Sequence, residues 1–114
     1  GGRSRLDWSL IVMPQINGRD IRTVVIACDA GMGSSVMVAS QMRQRLKKYD
    51  VAVEHLPVNS IPADAQVVVC HAGLAARAQG MAPGAVVVPF QIFMGDPAFE
   101  RVESAIRDGG VLAS

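Results

Sequence analysis

The feature of this sequence that most limits its fold is a nearly continuous apolar run, Gln66-Val67-Val68-Val69-Cys70. Runs of this kind are typical of a strand in a parallel sheet that is covered on both faces. A second β-branched run, Thr23-Val24-Val25-Ile26-Ala27, is followed by a helical pattern of apolar residues. Strands that alternate with helices imply parallel pairing and right-handed crossovers. The sequence therefore predicts an α/β fold.

Four strands and about three helices can be placed along the chain. The predicted strands cover residues 23–27, 51–58, 66–70 and 85–88, and the predicted helices cover residues 34–48, 73–79 and 97–108. The last helix has clear start and stop signals. Asp96 is a good N-cap, Pro97 suits the first helical position and Gly109-Gly110 follow the end. We expect an open three-layer sandwich with a four-stranded parallel sheet.

Composition indicates one globular domain. The chain has 114 residues, of which 50% are hydrophobic and 18% charged. Residues 1–22 show no clear period and are predicted as a linker or an added tag, and residues 23–114 as the domain. A formal net charge of +1 and an aromatic content of 4% do not indicate a nucleic-acid partner.

Cysteine content and hydropathy predict a cytoplasmic domain. Cys28 and Cys70 form neither a Cys-x-x-Cys pair nor a secreted disulfide framework. The apolar stretch from Trp8 to Pro14 is too short to span a bilayer, so we expect no direct membrane insertion. The two cysteines and two histidines show no metal-ligand spacing, and neither a metal nor an organic cofactor is expected.

The segment Cys28-Asp29-Ala30-Gly31-Met32-Gly33-Ser34-Ser35 holds the candidate site, at the carboxyl end of the first predicted strand. Ligands bind beyond the carboxyl ends of strands in such sheets. The two glycines let backbone N–H groups of residues 29 to 35 turn toward the thiol, and Ser34 or Ser35 can cap the next helix or donate a hydroxyl. This pattern predicts a phosphate cradle with Cys28 as nucleophile. A helix N-terminus also favours the thiolate, so the pKa of Cys28 is expected to be lowered.

The residues of this loop also bear on several other kinds of site. No lysine follows Gly33, which excludes a nucleotide-binding P-loop, and Val36 stands where a dinucleotide fingerprint has its third glycine. A tyrosine phosphatase or arsenate reductase of this topology has Cys-x5-Arg, whereas this chain has Ser34 in place of the arginine. A phosphocysteine without that arginine is less well suited to hydrolysis and better suited to a carrier. A buried structural cysteine, or a non-catalytic module that senses phosphate, also remains open.

The eleven residues Val25-Ile26-Ala27-Cys28-Asp29-Ala30-Gly31-Met32-Gly33-Ser34-Ser35 resemble the active-site loop of the mannitol-type enzyme IIB domain of the bacterial phosphoenolpyruvate-dependent sugar phosphotransferase system. Weaker likeness continues to about residue 108, through Asn59-Ser60-Ile61-Pro62 and Leu74-Ala75-Ala76-Arg77-Ala78. The resemblance implies that Cys28 receives a phosphoryl group from a phosphorylated IIA protein or domain. It implies that the group then passes to a hexitol held by a membrane IIC component.

The chain departs from that family pattern in two places. Cys70 stands where the family more often has threonine, and Ala72 replaces a charged residue after His71. Ile92-Phe93 stands where the family tends to have Asn-Phe. These departures leave the cysteine loop intact and bear on the choice of polyol and the fit to partners.

Three further side chains, those of His71, His55 and Asp96, are candidates for a catalytic role. His71 ends the third predicted strand, where it can donate to phosphate or shuttle a proton, although a solvated loop histidine is the simpler interpretation. His55 is a weaker candidate. An Asp-Pro pair supplies the general acid in low-molecular-weight tyrosine phosphatases, but the position of Asp96 favours helix capping. Partner docking is expected around Cys28, on Met32, Met37 and Phe93.

Overall fold

A computed structural model of the chain describes residues 15–29, 34–92 and 95–113, apart from the side chains of Ser34 and Ser35. The strands are β1 (Gln15–Asn17), β2 (Thr23–Cys28), β3 (Ala52–Pro57), β4 (Val67–His71), β5 (Val86–Phe90) and β6 (Val111–Ala113). The α-helices are α1 (Ser34–Leu46), α2 (Ala75–Met81) and α3 (Pro97–Asp108). Short 3-10 turns cover Gly18–Asp20, Lys47–Tyr49, Val58–Ser60 and Ala72–Leu74.

The main sheet has four parallel strands in the order β3-β2-β4-β5. This arrangement confirms the predicted α/β fold and parallel sheet. Strands β2 and β4 are the inner pair, and Val24 of β2 lies opposite Val67 of β4. The strand that carries Cys28 therefore has a hydrogen-bonded neighbour on each side.

Both faces of this sheet are buried, which explains the continuous apolar run in β4. Val67 and Val69 belong to a core on one face, together with residues of α1 and α3. Val68 and Cys70 belong to a core on the other face, together with Ala78 of α2. Because side chains alternate along a strand, a strand covered on both sides needs apolar residues at every position. The result is a three-layer sandwich.

Helix α3 shows how local sequence determines its ends. The Asp96 side chain accepts a hydrogen bond from the Ala98 backbone N–H at 2.8 Å, and Pro97 is the first helical residue. Gly109 ends the helix in the left-handed region, with φ of 71°, where glycine has no steric penalty. The predicted cap, first residue and stop are all confirmed. Phe99, Val102, Ala105 and Ile106 form the buried face of the helix.

Residues 15–22, which fall in the predicted linker, pack against the domain. Strand β1 pairs antiparallel with β6 in a separate two-stranded sheet. The Gly18 N–H donates to the Gly110 carbonyl at 2.8 Å, and Ile21 is only 1% exposed. Residues 1–14 lie outside the described part of the chain, and a domain boundary at residue 23 stays a prediction.

The Gln66 side chain, just before β4, forms hydrogen bonds with the backbone of residues 20–23. Its side-chain oxygen accepts the N–H groups of Arg22 and Thr23, at 2.7 and 3.1 Å. Its amide nitrogen donates to the Asp20 carbonyl at 2.9 Å. One side chain thus satisfies three backbone groups where the chain enters β2, which fixes the start of the strand that ends in Cys28.

Candidate active site

Cys28 lies at the carboxyl edge of the main sheet, where four strand ends meet. Cys28 pairs with Pro57 across β2 and β3, and His71 pairs with Phe90 across β4 and β5. Ile26 of β2 pairs with Val69 of β4. Because the strands are parallel, Cys28 and His71, each two residues further along, lie at the same level of the sheet. This edge is where ligands bind in open parallel sheets.

The Cys28 thiol is mostly buried. The residue is 7% exposed, and its Sγ donates to the Leu56 carbonyl at 3.6 Å. Burial, and secondly the neighbouring Asp29 carboxylate, raise the pKa of this thiol above its ordinary value. The sequence-based expectation of a lowered pKa is therefore wrong in direction, because desolvation and a like charge both disfavour the thiolate.

The residues predicted to cradle phosphate are described only in part. Ala30, Gly31, Met32 and Gly33 lie outside the described residues. Helix α1 begins at Ser34, but the side chains of Ser34 and Ser35 are not described, so their capping role stays a prediction. The phosphate cradle consequently stays a prediction, with its two flanks, Asp29 and the start of α1, in place.

A cation not assigned a role from the sequence lies next to Asp29. Arg77 of α2 places Nη1 at 4.0 Å from Asp29 Oδ1 and Nη2 at 3.5 Å from Asn59 Oδ1. Asn59 belongs to the 3-10 turn that follows β3. Asn59 and Arg77 both fall in segments that carry the family resemblance. Their approach to Asp29 depends on how α2 packs against the sheet, so sequence spacing does not predict it.

His71 has a structural task at the end of β4. Its Nδ1 accepts a hydrogen bond from the Gly73 N–H at 3.1 Å and so caps the 3-10 turn that leads into α2. Its ring meets Phe90 edge-on, with centroids 5.9 Å apart. Because Nδ1 accepts this hydrogen bond, Nε2 is the ring nitrogen left to donate to another group. The structure brings His71 to the Cys28 edge, and a direct role toward phosphate stays a prediction.

The second cysteine belongs to a different environment. Cys70 is fully buried in the core on the α2 face, and burial raises its pKa to about 11. Cys28 continues the alternation of Val24 and Ile26, which face the α1 and α3 side. The two thiols therefore lie on opposite faces of the sheet, and both are free.

His55 lies in β3 opposite Ile26, one strand away from the candidate nucleophile. Its Nε2 is buried and has no hydrogen-bond partner among the residues that the structure describes. The side chain is only partly buried. These observations assign it no part in the chemistry at Cys28.

Asp96 acts as a structural clamp. One carboxylate oxygen caps α3, and the other accepts the N–H groups of Gln91 and Ile92 at 2.8 and 3.2 Å. The hydrogen bond from Ala98 and then that from Gln91 lower the pKa of this carboxyl. An anionic carboxylate that already accepts three N–H groups is poorly suited to act as a general acid.

Apolar side chains are exposed near the carboxyl edge. Val36 and Met37 lie in the first turn of α1, and Ile92 follows β5; each is about half exposed. Met32 and Phe93, which were also predicted to line this rim, lie outside the described residues. Exposed apolar groups around a polar site are typical of transient docking surfaces.

Within residues 15–29, 34–92 and 95–113, no group of three or more His, Cys, Asp or Glu side chains could hold a metal ion. In the same ranges no helix is long and apolar enough to cross a membrane.

The part of the chain that holds Cys28 matches a known protein family. Residues 23–104 match the family described as "PTS system, Lactose/Cellobiose specific IIB subunit". The chain belongs to this IIB family. The predicted resemblance to an enzyme IIB domain of the sugar phosphotransferase system is thereby confirmed, and Cys28 ends the first strand inside the matched region.

Curated relatives share the IIB region. The "PTS system mannitol-specific EIICB component" of Bacillus subtilis (strain 168) is 33% identical over 95 residues, which cover 82% of this chain and 20% of the relative. The protein of that name from Staphylococcus aureus (strain COL) is 38% identical over 94 residues, covering 80% and 18%. That of Staphylococcus saprophyticus is 38% identical over 85 residues, covering 72% and 17%. The IIB chain spans about a fifth of these relatives.

Proposed function

We propose that this IIB domain is a phosphoryl carrier in which Cys28 takes a phosphoryl group from a phosphohistidine of a IIA protein. The group then passes to a hexitol, with mannitol as the first choice, bound by a membrane IIC component. Family membership supports a role in a sugar phosphotransferase system. The relatives named as mannitol-specific EIICB components support both the polyol and the IIC partner.

The position of Cys28 is the observation that carries this proposal. Its thiol lies at the carboxyl edge of an inner strand, followed by the glycine-rich loop and the start of α1. Cys70, the alternative thiol, is fully buried on the other face of the sheet. A phosphorylated partner can approach the sheet edge, whereas it cannot reach the Cys70 core without unfolding it.

The first transfer exchanges a P–N bond for an S–P bond. The Cys28 sulfur attacks phosphorus, and the imidazole of the donor leaves with the electron pair of the broken bond. Because the raised pKa keeps the thiol protonated near neutral pH, its proton must leave in the same step, and the departing imidazole nitrogen is a suitable acceptor. A thiolate of high pKa is also the stronger nucleophile once it is formed.

The second transfer restores the thiol. A hydroxyl oxygen of the polyol attacks phosphorus, the S–P bond breaks, and the sulfur leaves with the bonding electrons. The raised pKa makes this sulfur a good acceptor for the proton that the hydroxyl loses. We assign stabilisation of the transferring group to the backbone N–H groups of residues 29 to 35 and to the hydroxyls of Ser34 and Ser35.

Two features argue against the phosphatase or arsenate reductase alternative. Ser34 occupies the position of the arginine that stabilises hydrolysis in those enzymes. Asp96, the residue of the Asp-Pro pair, caps a helix and accepts three backbone N–H groups. We therefore expect the phosphocysteine to persist in water.

We place the IIB domain on the cytoplasmic side of the membrane. Its function needs a reduced thiol, and both cysteines are free. Contact with the bilayer would come through the IIC component.

The test is to incubate the chain with a IIA protein phosphorylated on histidine and follow intact mass together with inorganic phosphate release. We expect one phosphoryl group per chain and phosphate release far slower than loading. Rapid multiple-turnover release that depends on Cys28 would overturn the carrier proposal in favour of a phosphatase.

A further inference from the structure

Arg77 sits where three elements converge at the carboxyl edge of the sheet, next to Asp29, the residue that follows Cys28. Asp29 directly follows β2, Asn59 lies in the turn after β3, and Arg77 belongs to α2, which covers one face of the sheet. The guanidinium contacts both acidic and amide oxygens of these neighbours. Its side chain is 51% exposed, so it is accessible to a group that arrives from solvent or from a partner.

Neither contact made by Arg77 is a tight one. The ion pair to Asp29 measures 4.0 Å and the hydrogen bond to Asn59 measures 3.5 Å, whereas the Arg45–Glu103 pair between α1 and α3 measures 2.7 Å. Charge-assisted hydrogen bonds of good geometry lie near 2.7 to 2.9 Å. Among the described residues, Asp29 and Asn59 thus hold Arg77 close to the site without satisfying its five N–H donors well.

We propose that Arg77 is a phosphoryl-binding residue that faces Asp29 in the unmodified protein and turns to the phosphoryl group when Cys28 carries it. This inference rests on the proposed function of Cys28. A phosphoryl group on sulfur adds negative charge and acceptor oxygens next to the Asp29 carboxylate. Negative charges on two adjacent residues repel each other, and a guanidinium within reach of both relieves the repulsion. A phosphoryl group also offers the bidentate geometry that Asp29 and Asn59 do not supply at their present distances.

The proposal makes Arg77 act in both states of the domain. In the unmodified state it offsets part of the Asp29 charge that disfavours the Cys28 thiolate. In the phosphorylated state it stabilises the product of the first transfer. Its loss should therefore both slow thiol reactions at neutral pH and shift the phosphoryl equilibrium back toward the donor.

The experiment compares wild type with R77Q, R77K and a matched control, R107Q. Arg107 is also about half exposed and also pairs with a carboxylate, Asp108, but it lies in the last turn of α3. We expect iodoacetamide to alkylate Cys28 about threefold more slowly in R77Q near neutral pH, because loss of the cation beside Asp29 lowers the fraction of Cys28 that is thiolate. R77K should recover most of the rate, and R107Q should match wild type.

Phosphorylation is measured on the same proteins with a phosphorylated IIA protein at a fixed donor-to-acceptor ratio. We expect the equilibrium constant for transfer to Cys28 to fall about tenfold in R77Q, which corresponds to losing one charge-assisted contact. The D29N background separates the two roles of Arg77. If Arg77 served only to neutralise Asp29, R77Q would have no effect in that background, whereas the proposal predicts that the loss persists.

The outcomes distinguish this inference from the proposed function. A wild-type protein that accepts nothing from the IIA protein overturns the proposed function, and the inference falls with it. A wild type that is phosphorylated normally, together with an R77Q variant of unchanged equilibrium, overturns the inference alone. The denaturation midpoint of R77Q should equal that of R107Q, and a large drop would make Arg77 a structural residue and count against the proposal.

Discussion

At the residue scale, the reactivity of Cys28 depends on how far its thiol is buried and on the charge beside it. The thiol is 7% exposed and donates to a backbone carbonyl, so in the unmodified state it is mostly hidden from solvent. Burial and Asp29 raise its pKa, which keeps the sulfur protonated and unreactive toward small oxidants. A carrier benefits from a thiol that reacts only when a donor brings its own leaving group into position.

The first prediction follows from this raised pKa. We expect the alkylation rate of Cys28 to rise with pH through a midpoint above about 8.5, the free-thiol value. D29N should lower the midpoint, because the second of the two causes is removed. The measurement is iodoacetamide incorporation against pH in a C70S protein, so that only one thiol reports.

Cys70 serves as the internal reference for that experiment. It is fully buried with a pKa of about 11, so a C28S protein should be alkylated far more slowly at every pH below that value. A Cys28 midpoint below the free-thiol value would show that the loop and the helix N-terminus outweigh burial.

At the scale of elements, the segment between β5 and α3 is held by Asp96. Its carboxylate joins the backbone N–H groups of Gln91 and Ile92 to the first turn of α3. Loss of an N-cap alone costs about 1 kcal/mol. The segment lies beside the carboxyl edge of the sheet, so its order also bears on the rim around Cys28.

The second prediction is that D96A lowers the free energy of unfolding by about 1 to 2 kcal/mol, since a cap and two loop hydrogen bonds are lost. The matched control is D108N, whose carboxylate is exposed and pairs only with the neighbouring Arg107 among the contacts described. That control should change stability by less than about 0.5 kcal/mol. Urea denaturation followed by circular dichroism measures both.

The sign of the pH effect at Asp96 can be stated as well. Its pKa is lowered in the folded state, so its contribution is present above the unfolded-state value of about 3.9 and is lost as pH falls through the folded-state value. Wild type and D96A should therefore converge in stability toward acid pH. If the free energies of unfolding of wild type and D96A differed by the same amount at every pH in that range, the capping role would be contradicted.

The elements that could be predicted from sequence were those with strong local patterns. The β-branched runs identified β2, β4 and β5, and the cap, proline and glycine of α3 identified both of its ends. Strands β1 and β6 were missed, because each has three residues and exists only through pairing with the other across the length of the chain. The pKa direction of Cys28 and the approach of Arg77 to Asp29 were missed for a similar reason, since both arise from tertiary packing.

At the scale of the whole molecule, residues 15–22 pack closely against helix α3. A Cβ added at Gly18 would collide with the backbone carbonyl of Ala105 in α3. Backbone cannot move aside as a flexible side chain can, so overpacking of this kind is costly.

The third prediction is that G18A lowers the free energy of unfolding by more than about 2 kcal/mol. The control is G84A, at a turn where an added Cβ meets nothing within 4 Å. That variant should be neutral or slightly stabilising. Equal stability of the two variants would mean that residues 15–22 act as a detachable linker.

The fourth prediction concerns the docking face. Val36 and Met37 expose apolar surface in the first turn of α1, directly after the cysteine loop. M37E should weaken binding of a IIA protein about tenfold, as truncation or charge at an interface centre does. M81E is the matched control, because Met81 is also exposed but ends α2.

Chemical-shift mapping provides the map for that prediction. Addition of a IIA protein should perturb residues 28–37 first. Perturbations centred on the basic end of α1, from Arg43 to Lys48, would contradict this placement of the docking face.

The central claim is that the phosphoryl group resides on the Cys28 sulfur. The most direct measurement is fragmentation mass spectrometry of the peptides that span residues 23–43 and 49–77, which contain Cys28 and Ser34, and Cys70 and His71, after loading from a phosphorylated IIA protein. We predict a single phosphoryl group assigned to Cys28, absent from C28S and retained in C70S. A phosphoryl group on His71, on Ser34 or on Cys70, or loading that survives in C28S, would contradict it.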